Sequence, residues 1–207
     1  MNISYDTLRK AMQLKEIDPI QAQLEMAPLP RGLNLAISTD PARKAAVLVL
    51  IIPYQNTLSL VLTRRTTHLR GHSGQISFPG GKYDECDKDY VETAMRETCE
   101  ELGLCDEKVE ILGQLEKCYI PPSNFDVFPT VGLMTMEAHF IPNPQEVDAI
   151  IYFPLADLLN PALKKVEIRN MQGYDVTIPF YDVAGEIVWG ATAVMLSDLE
   201  HRIRRVI

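Results

Sequence analysis

The chain has 207 residues, with 20 Lys and Arg against 28 Asp and Glu, a formal net charge of −8. Hydrophobic residues make up 46% and charged residues 23%, with 11 Gly, 14 Pro and 4 Cys, which excludes a disordered, collagen-like or coiled-coil chain. The acidic balance argues against a general nucleic-acid or anionic-membrane binder, and the longest apolar run, residues 45–53, is far too short to span a bilayer.

Residues 1–30 read as an amphipathic helical lead, capped by Asp6, carrying Leu8, Met12 and Leu14, and ending at Pro28 and Pro30. Residues 44–53 (KAAVLVLIIP) are β-rich and almost wholly apolar, which predicts a strand buried on both faces. The turn Gln55-Asn56-Thr57 joins it to a second strand at 58–65, and a Gly-rich loop with a short strand follows at 71–81. A strongly patterned helix spans about 88–102 and stops at Gly103. Strands are expected at 109–116, 126–136 and 147–153, the last after the loop Pro142-Asn143-Pro144. A hairpin around Met171-Gln172-Gly173 joins strands 164–169 and 174–181. A final helix, about 191–206, puts Met195, Leu199, Ile203 and Val206 on one face, with Arg202, Arg204 and Arg205 complementing its dipole. Strands and helices mix without strict βα alternation. The expected class is therefore α+β, a mixed β-sheet covered by helices, with the lead at 1–30 and one domain over 31–207.

Cys86, Cys99, Cys105 and Cys118 show no C-x-x-C spacing and no His at a zinc-finger distance. With no signal peptide in view they read as free thiols, and the expected compartment is the reducing cytoplasm.

The charge is segregated. Residues 41–83 hold no acid but carry Arg43, Lys44, Arg64, Arg65, Arg70 and Lys82. Residues 84–101 carry eight acids against Lys88 and Arg96, a net of −6. Solvated charged faces would account for such runs, and so would a site for a polyanion held between arginines and carboxylate-bound metal.

On the helix near 88–102, Val91, Met95, Thr98 and Leu102 form the face expected to pack on the sheet. Glu92, Arg96 and Glu100 make an i, i+4 ladder of alternating charge that needs no function. Glu97 and Glu101 lie one turn apart with no basic partner, Glu100 is beside them, and like charges at that spacing cost roughly 0.2–0.5 kcal/mol per pair. Acids in the last turn also oppose the helix dipole. Three carboxylates from one turn make a hard-oxygen site suited to Mg²⁺ or Mn²⁺.

The segment 80–104 (GGKYDECDKDYVETAMRETCEELGL) resembles the Nudix box, with Arg96-Glu97-Thr98-Cys99-Glu100-Glu101-Leu102-Gly103-Leu104 matching its Arg-Glu-U-x-Glu-Glu-x-Gly-U core, where U is apolar. Thr98 fills an apolar slot, Asp87 stands where the box usually has Glu, and one extra residue separates Asp87 from Arg96. Upstream, residues 62–81 (LTRRTTHLRGHSGQISFPGG) resemble the added signature of the coenzyme A pyrophosphatase branch of Nudix hydrolases. Arg65, Leu69, Arg70, His72, Gly74, Gln75, Phe78, Pro79, Gly80 and Gly81 fall in place, and Pro121-Pro122 and the run Val188 to Thr192 match further.

The resemblance implies a Nudix-like α/β/α sandwich and an enzyme that cleaves coenzyme A to 3′,5′-ADP and 4′-phosphopantetheine with Mg²⁺ or Mn²⁺. It implies metal ligation by Glu97, Glu100 and Glu101. Substrate contacts would come from Arg65, Arg70, His72, Gln75, Gly80 and Gly81. Arg96 would orient the glutamates by pairing with Glu92 and Glu100. The general base stays open among Glu97, Glu101 and Glu146, the last in the loop before a strand. The partner is a small molecule; homodimerisation, and free against acylated or oxidised coenzyme A, stay open. Rival readings are a Nudix hydrolase of ADP-ribose, dinucleotides or nucleoside triphosphates, and a non-catalytic nucleotide-sensing Nudix domain.

Overall fold

The computed structural model describes residues 3–15, 17–29, 40–67, 74–105, 108–171 and 173–207. The lead forms two short helices, α1 (Tyr5–Met12) and α2 (Pro19–Glu25). Ser4, not Asp6, caps α1: its Oγ accepts the Thr7 N–H at 3.1 Å, while Asp6 sits in the first turn and pairs with Arg9. Asp18 caps α2 ahead of a proline that needs no N–H there.

β1 (Arg43–Tyr54) and β2 (Thr57–Arg65) form a hairpin whose turn residues, Gln55 and Asn56, both take positive φ. Such a turn matches the twist of its strands. β3 (Ile76–Ser77) and β4 (Gly80–Lys82) lead into α3 (Tyr90–Leu102). β5 (Glu110–Gln114), β6 (Cys118–Ile120), β7 (Phe125–Leu133) and β8 (Val147–Pro154) follow. Among the described residues these strands make one eight-stranded mixed sheet along the order β3-β2-β1-β7-β5, with β4 on β1, β6 on β7 and β8 on β2. β1 and β7 run parallel, from Arg43 opposite Phe125 to Ile51 opposite Leu133. After α4 (Leu155–Leu158), β9 (Lys164–Met171), β10 (Tyr174–Val183) and β11 (Glu186–Trp189) form a three-stranded antiparallel sheet, and α5 (Gly190–Arg204) closes the chain.

β1 is buried on both faces, as its unbroken apolar run predicts. Ala46, Leu48, Leu50 and Ile52 pack with Ala94 and Leu102 of α3. Val49 and Ile51 join the opposite cluster with Leu8, Ala11, Leu196, Leu199 and Ile203. The sheet is thus the middle layer between α3 and the pair α1 and α5.

Two helices depart from the sequence reading. On α3 the buried residues are Thr93, Ala94, Thr98, Glu101 and Leu102, while Val91 and Met95 lie only part-buried at the margin. Small and hydroxylated side chains let the helix sit close to the sheet, and Thr98 Oγ1 satisfies itself on the Ala94 carbonyl at 2.7 Å. α5 is buried on nearly every side rather than on one face. Its charges are internally paired: Arg202 with Asp198 at 2.7 Å, and Glu200 with Arg204, Lys164 and the Tyr181 hydroxyl. Basic residues do stand in its last turn, where they complement the dipole, and Arg202 and Arg204 also pair with the buried acids Asp198 and Glu200.

The cysteines also need correction. Cys99 and Cys105 form a disulfide, because the left-handed Gly103 turn folds the chain back to bring their Cα atoms within 4.6 Å. Cys86 and Cys118 are free. A reducing compartment therefore no longer follows from four free thiols. Among the described residues no helix is long and apolar enough to cross a membrane.

α2 is tied down by Glu25, which pairs with Lys164 and His201 at 2.7 Å each, and by Met26, fully buried in the α1 and α5 cluster. Met26→Ala is expected to lower stability by about 2–5 kcal/mol within a single cooperative transition. Urea unfolding followed by circular dichroism checks this; an unchanged midpoint would mean that α2 is not coupled to the core.

Candidate active site

The site lies where the C-terminal turns of α3, the end of β2, the β3–β4 segment and the loop before β8 meet. β4 lies against α3 so closely that a Cβ on Gly81 would fall 2.2 Å from Glu97 Oε2, so a side chain at 81 would displace that carboxylate. A Cβ on Gly80 would fall 2.3 Å from the Ala46 carbonyl oxygen in β1. The glycine pair is thus required by the packing of the site itself. Gly80 also points its backbone N–H at Glu101 Oε2, at 3.3 Å.

Glu101 is only 3% exposed, and burial pushes its carboxyl up to about 7, against the Arg65 guanidinium and the Gly80 N–H, which favour the charged form. Glu97 is raised for the same first reason, burial, with Arg96 opposing. Both are raised further by the charge of Glu146, so the loop acid faces the same space. Arg65, from the end of β2, reaches Glu101 Oε1 at 3.5 Å.

Arg96 does not pair with Glu92, which instead bonds Lys88. Its guanidinium grips Asp87 with Nε and Nη2 at 2.9 Å each, and turns Nη1 to Glu97 at 2.8 Å and to Glu100 at 3.2 Å. Asp87 is buried, and also accepts the Thr93 hydroxyl at 2.8 Å and the Asp84 N–H. The Arg96 hydrogen bonds hold the Asp87 carboxyl well below the usual carboxylate range. Asp87 thus fixes Arg96, and Arg96 fixes Glu97 and Glu100. The shorter Asp87 side chain thus reaches Arg96 across the extra residue.

Of the residues expected at the site, Arg65, Gly80, Gly81, Glu97, Glu100 and Glu101 come together, and Glu146 joins them electrostatically. Glu100 is the most solvent-exposed carboxylate of the three on α3. Gln75 sits at the start of the β3 segment, where its carbonyl accepts the Arg65 N–H at 3.1 Å. Arg70 and His72 lie outside the described residues. Arg64 turns away from the site, to Asp148 at 2.8 Å and Glu186 at 2.5 Å.

As to metal, the donor set fits. Glu97 and Glu101 are hard oxygen donors whose charge is disfavoured by burial, which a divalent cation would relieve. Among the described residues no three carboxylate, His or Cys side chains already converge at ligand distance. Arg96 and Arg65 act as their counter-charges instead.

The NUDIX domain model matches residues 42–172, which takes in the Gly80-Gly81 turn, the whole of α3 and Glu146. This chain belongs to the Nudix hydrolase family. It is similar to a Nudix hydrolase NudL of Pectobacterium atrosepticum, 40% identical over 169 residues, 78% of this chain and 83% of the relative. It is 35% identical to a NudL of Photorhabdus laumondii over 88% of this chain and 94% of that one. A Nudix hydrolase from Alicyclobacillus acidocaldarius shares the fold, with a TM-score of 0.53 at 19% identity, covering 78% of this chain and 92% of that one. The mixed sheet between helices is thus a Nudix fold, and the protein is a hydrolase of phosphorus anhydrides.

Two outcomes test the electrostatics. Asp87→Asn is expected to cost about 1–3 kcal/mol at neutral pH. A carboxyl with a lowered folded pKa stabilises fully above its unfolded value and loses that contribution as the pH falls toward the folded one, so the difference shrinks below about pH 4. Glu101→Gln has the opposite sign. A raised folded pKa means stability is lost as the pH climbs through about 7. In EDTA the variant should gain on wild type from about pH 5 to about pH 8; denaturant melts across that range check both.

Proposed function

We propose that the protein hydrolyses the diphosphate bond of coenzyme A or its derivatives, giving 3′,5′-ADP and 4′-phosphopantetheine, with Mg²⁺ or Mn²⁺. The observation that carries this reading is the placement of Arg65. The upstream signature that resembles the coenzyme A branch ends one strand on the same carboxylate, Glu101, that the Nudix box supplies. One side of the site is therefore built from the phosphate-binding signature and the other from the metal helix.

Glu97 and Glu101, with Glu100 at the margin, would hold the cation. When bound, it neutralises phosphate charge and makes water more acidic. The chain's own residues do the rest. Arg65 presents a fixed, planar cation to a phosphate, and in doing so exchanges the Glu101 carboxylate for substrate. Arg96 stays on Asp87 and keeps Glu97 and Glu100 in place. Glu97, Glu100 and Glu101 are each bonded to an arginine, whereas Glu146 accepts only the Asn143 amide among the described residues. Glu146 is the carboxylate left with lone pairs to take the proton of an attacking water.

The test is one incubation with Mg²⁺ or Mn²⁺ and coenzyme A, an acyl-coenzyme A, ADP-ribose, NADH and dATP, with products read by mass spectrometry. The expected result is preferential cleavage of coenzyme A or its thioester, with turnover lost in Glu101→Gln. Preference for ADP-ribose would replace the substrate and keep the chemistry, and no cleavage of any compound would favour nucleotide sensing.

A further inference from the structure

The loop before β8 is not a free arm carrying an acid; it is fastened to two elements of the site. Its residue Ile141 donates its N–H to the Leu102 carbonyl, and Asn143 donates its own to the Glu101 carbonyl, each at 2.8 Å. These are carbonyls of the last turn of α3, which have no partner within the helix. On the other side, Thr66, just after β2, donates its N–H to the Glu146 carbonyl at 2.9 Å and its hydroxyl to the Gln145 carbonyl at 3.0 Å. Thr66 follows Arg65 directly, so the strand end that reaches Glu101 also holds the loop.

Asn143 is the centre of this fastening. Its carbonyl accepts the N–H of Glu146 at 3.0 Å and that of Val147 at 2.8 Å. Its side-chain oxygen accepts the Gln145 N–H at 3.0 Å, closing a turn of the kind asparagine favours. Its side-chain amide donates to Glu146 Oε1 at 3.3 Å. One residue therefore joins the backbone of the metal-ligand helix to both the backbone and the carboxylate of the loop acid.

We propose that Asn143 is a positioning residue, which sets the place and rotamer of the Glu146 carboxylate relative to Glu97 and Glu101. The inference rests on the reading above in which Glu146 accepts the proton of water. Asn143 donates one hydrogen bond to one oxygen of Glu146, which leaves the other oxygen to face the water. It also makes the Glu146 loop move with the end of α3. A general base held within a few tenths of an ångström of its working position loses no time to loop ordering.

Asn143→Ser, Glu146→Gln and the double variant test it. Serine can still accept the Gln145 N–H and keep the turn, but is too short to donate to Glu146. The substrate is whichever panel compound the wild type cleaves. Asn143→Ser is expected to lower kcat about 10–100-fold, with KM and Mn²⁺ affinity within about twofold. Glu146→Gln is expected to lower kcat about 10²–10⁴-fold. The double variant should be no slower than Glu146→Gln alone, because Asn143 acts only through that carboxylate.

Independent, multiplying losses in the double variant would overturn the proposal, as would an Asn143→Ser enzyme with wild-type kcat. If Asn143→Ser does not fold, Asn143→Asp keeps the turn acceptor, removes the amide donor and is read in the same cycle. Cleavage of another panel compound in place of coenzyme A would refute the substrate reading and leave this test intact. A fully active Glu146→Gln would refute the loop acid and Asn143 together.

Discussion

Two glutamates on successive turns of one helix, both withdrawn from water, are the constraint around which the rest of this protein is arranged. Burial disfavours their charge, and the mutual repulsion of Glu97, Glu101 and Glu146 adds to the cost. Each surrounding element supplies something that offsets it: Arg65 from β2, the Gly80 N–H from β4, and Arg96 from the helix itself. The sandwich fold allows this because β1, buried on both faces, seats α3 against the edge where β2 and β4 end. Small residues at Thr93, Ala94 and Thr98 bring the helix in close, and Gly81 leaves room for the Glu97 carboxylate.

Arginine is the counter-charge throughout, and its geometry explains why lysine would not serve at Arg96. One planar guanidinium contacts Asp87 through two nitrogens while its third reaches Glu97 and Glu100. A lysine offers a point charge without that fork. The Asp87 carboxylate is in turn fixed by Thr93 and by the turn at Asp84. The order in this cluster therefore runs outward from the helix start to the glutamates at its end.

Most strands and the principal helices were legible in the sequence because their signals are local, whereas the short strands β6 and β11 were not. The apolar run at 44–53, the Gln55-Asn56 turn and the Gly103 stop each act within a few residues, and each appears in the fold at those places. Glu97, Glu100 and Glu101 stood out because like charges at helical spacing need a reason. Among the residues that were not legible, Asn143 and the charges of α5 have partners remote in sequence, whereas Cys99 and Cys105 are only six residues apart. Asn143 looks like a loop residue until the chain folds its N–H onto Glu101. The charges of α5 look solvent-facing until Lys164 and Tyr181 meet Glu200. Cys99 and Cys105 show no recognised pair spacing, and only the reversal at Gly103 brings them together. The positive stretch at 41–83 also proves divided in purpose: Arg65 faces the glutamates, Arg64 bridges to Asp148 and Glu186, and Arg43 covers Phe125 and binds the Ser123 carbonyl.

The bulk charge of −8 is therefore a poor guide to chemistry, while the placement of a few buried charges is a good one. The proposed cation site rests on Glu97 and Glu101, the two carboxylates that Arg96 and Arg65 pair with. Binding of Mn²⁺ without any substrate, followed by electron paramagnetic resonance, measures that directly. Wild type is expected to bind, and Glu97→Gln and Glu101→Gln each to lose about tenfold or more in affinity. Equal Mn²⁺ affinity in all three proteins would contradict the account.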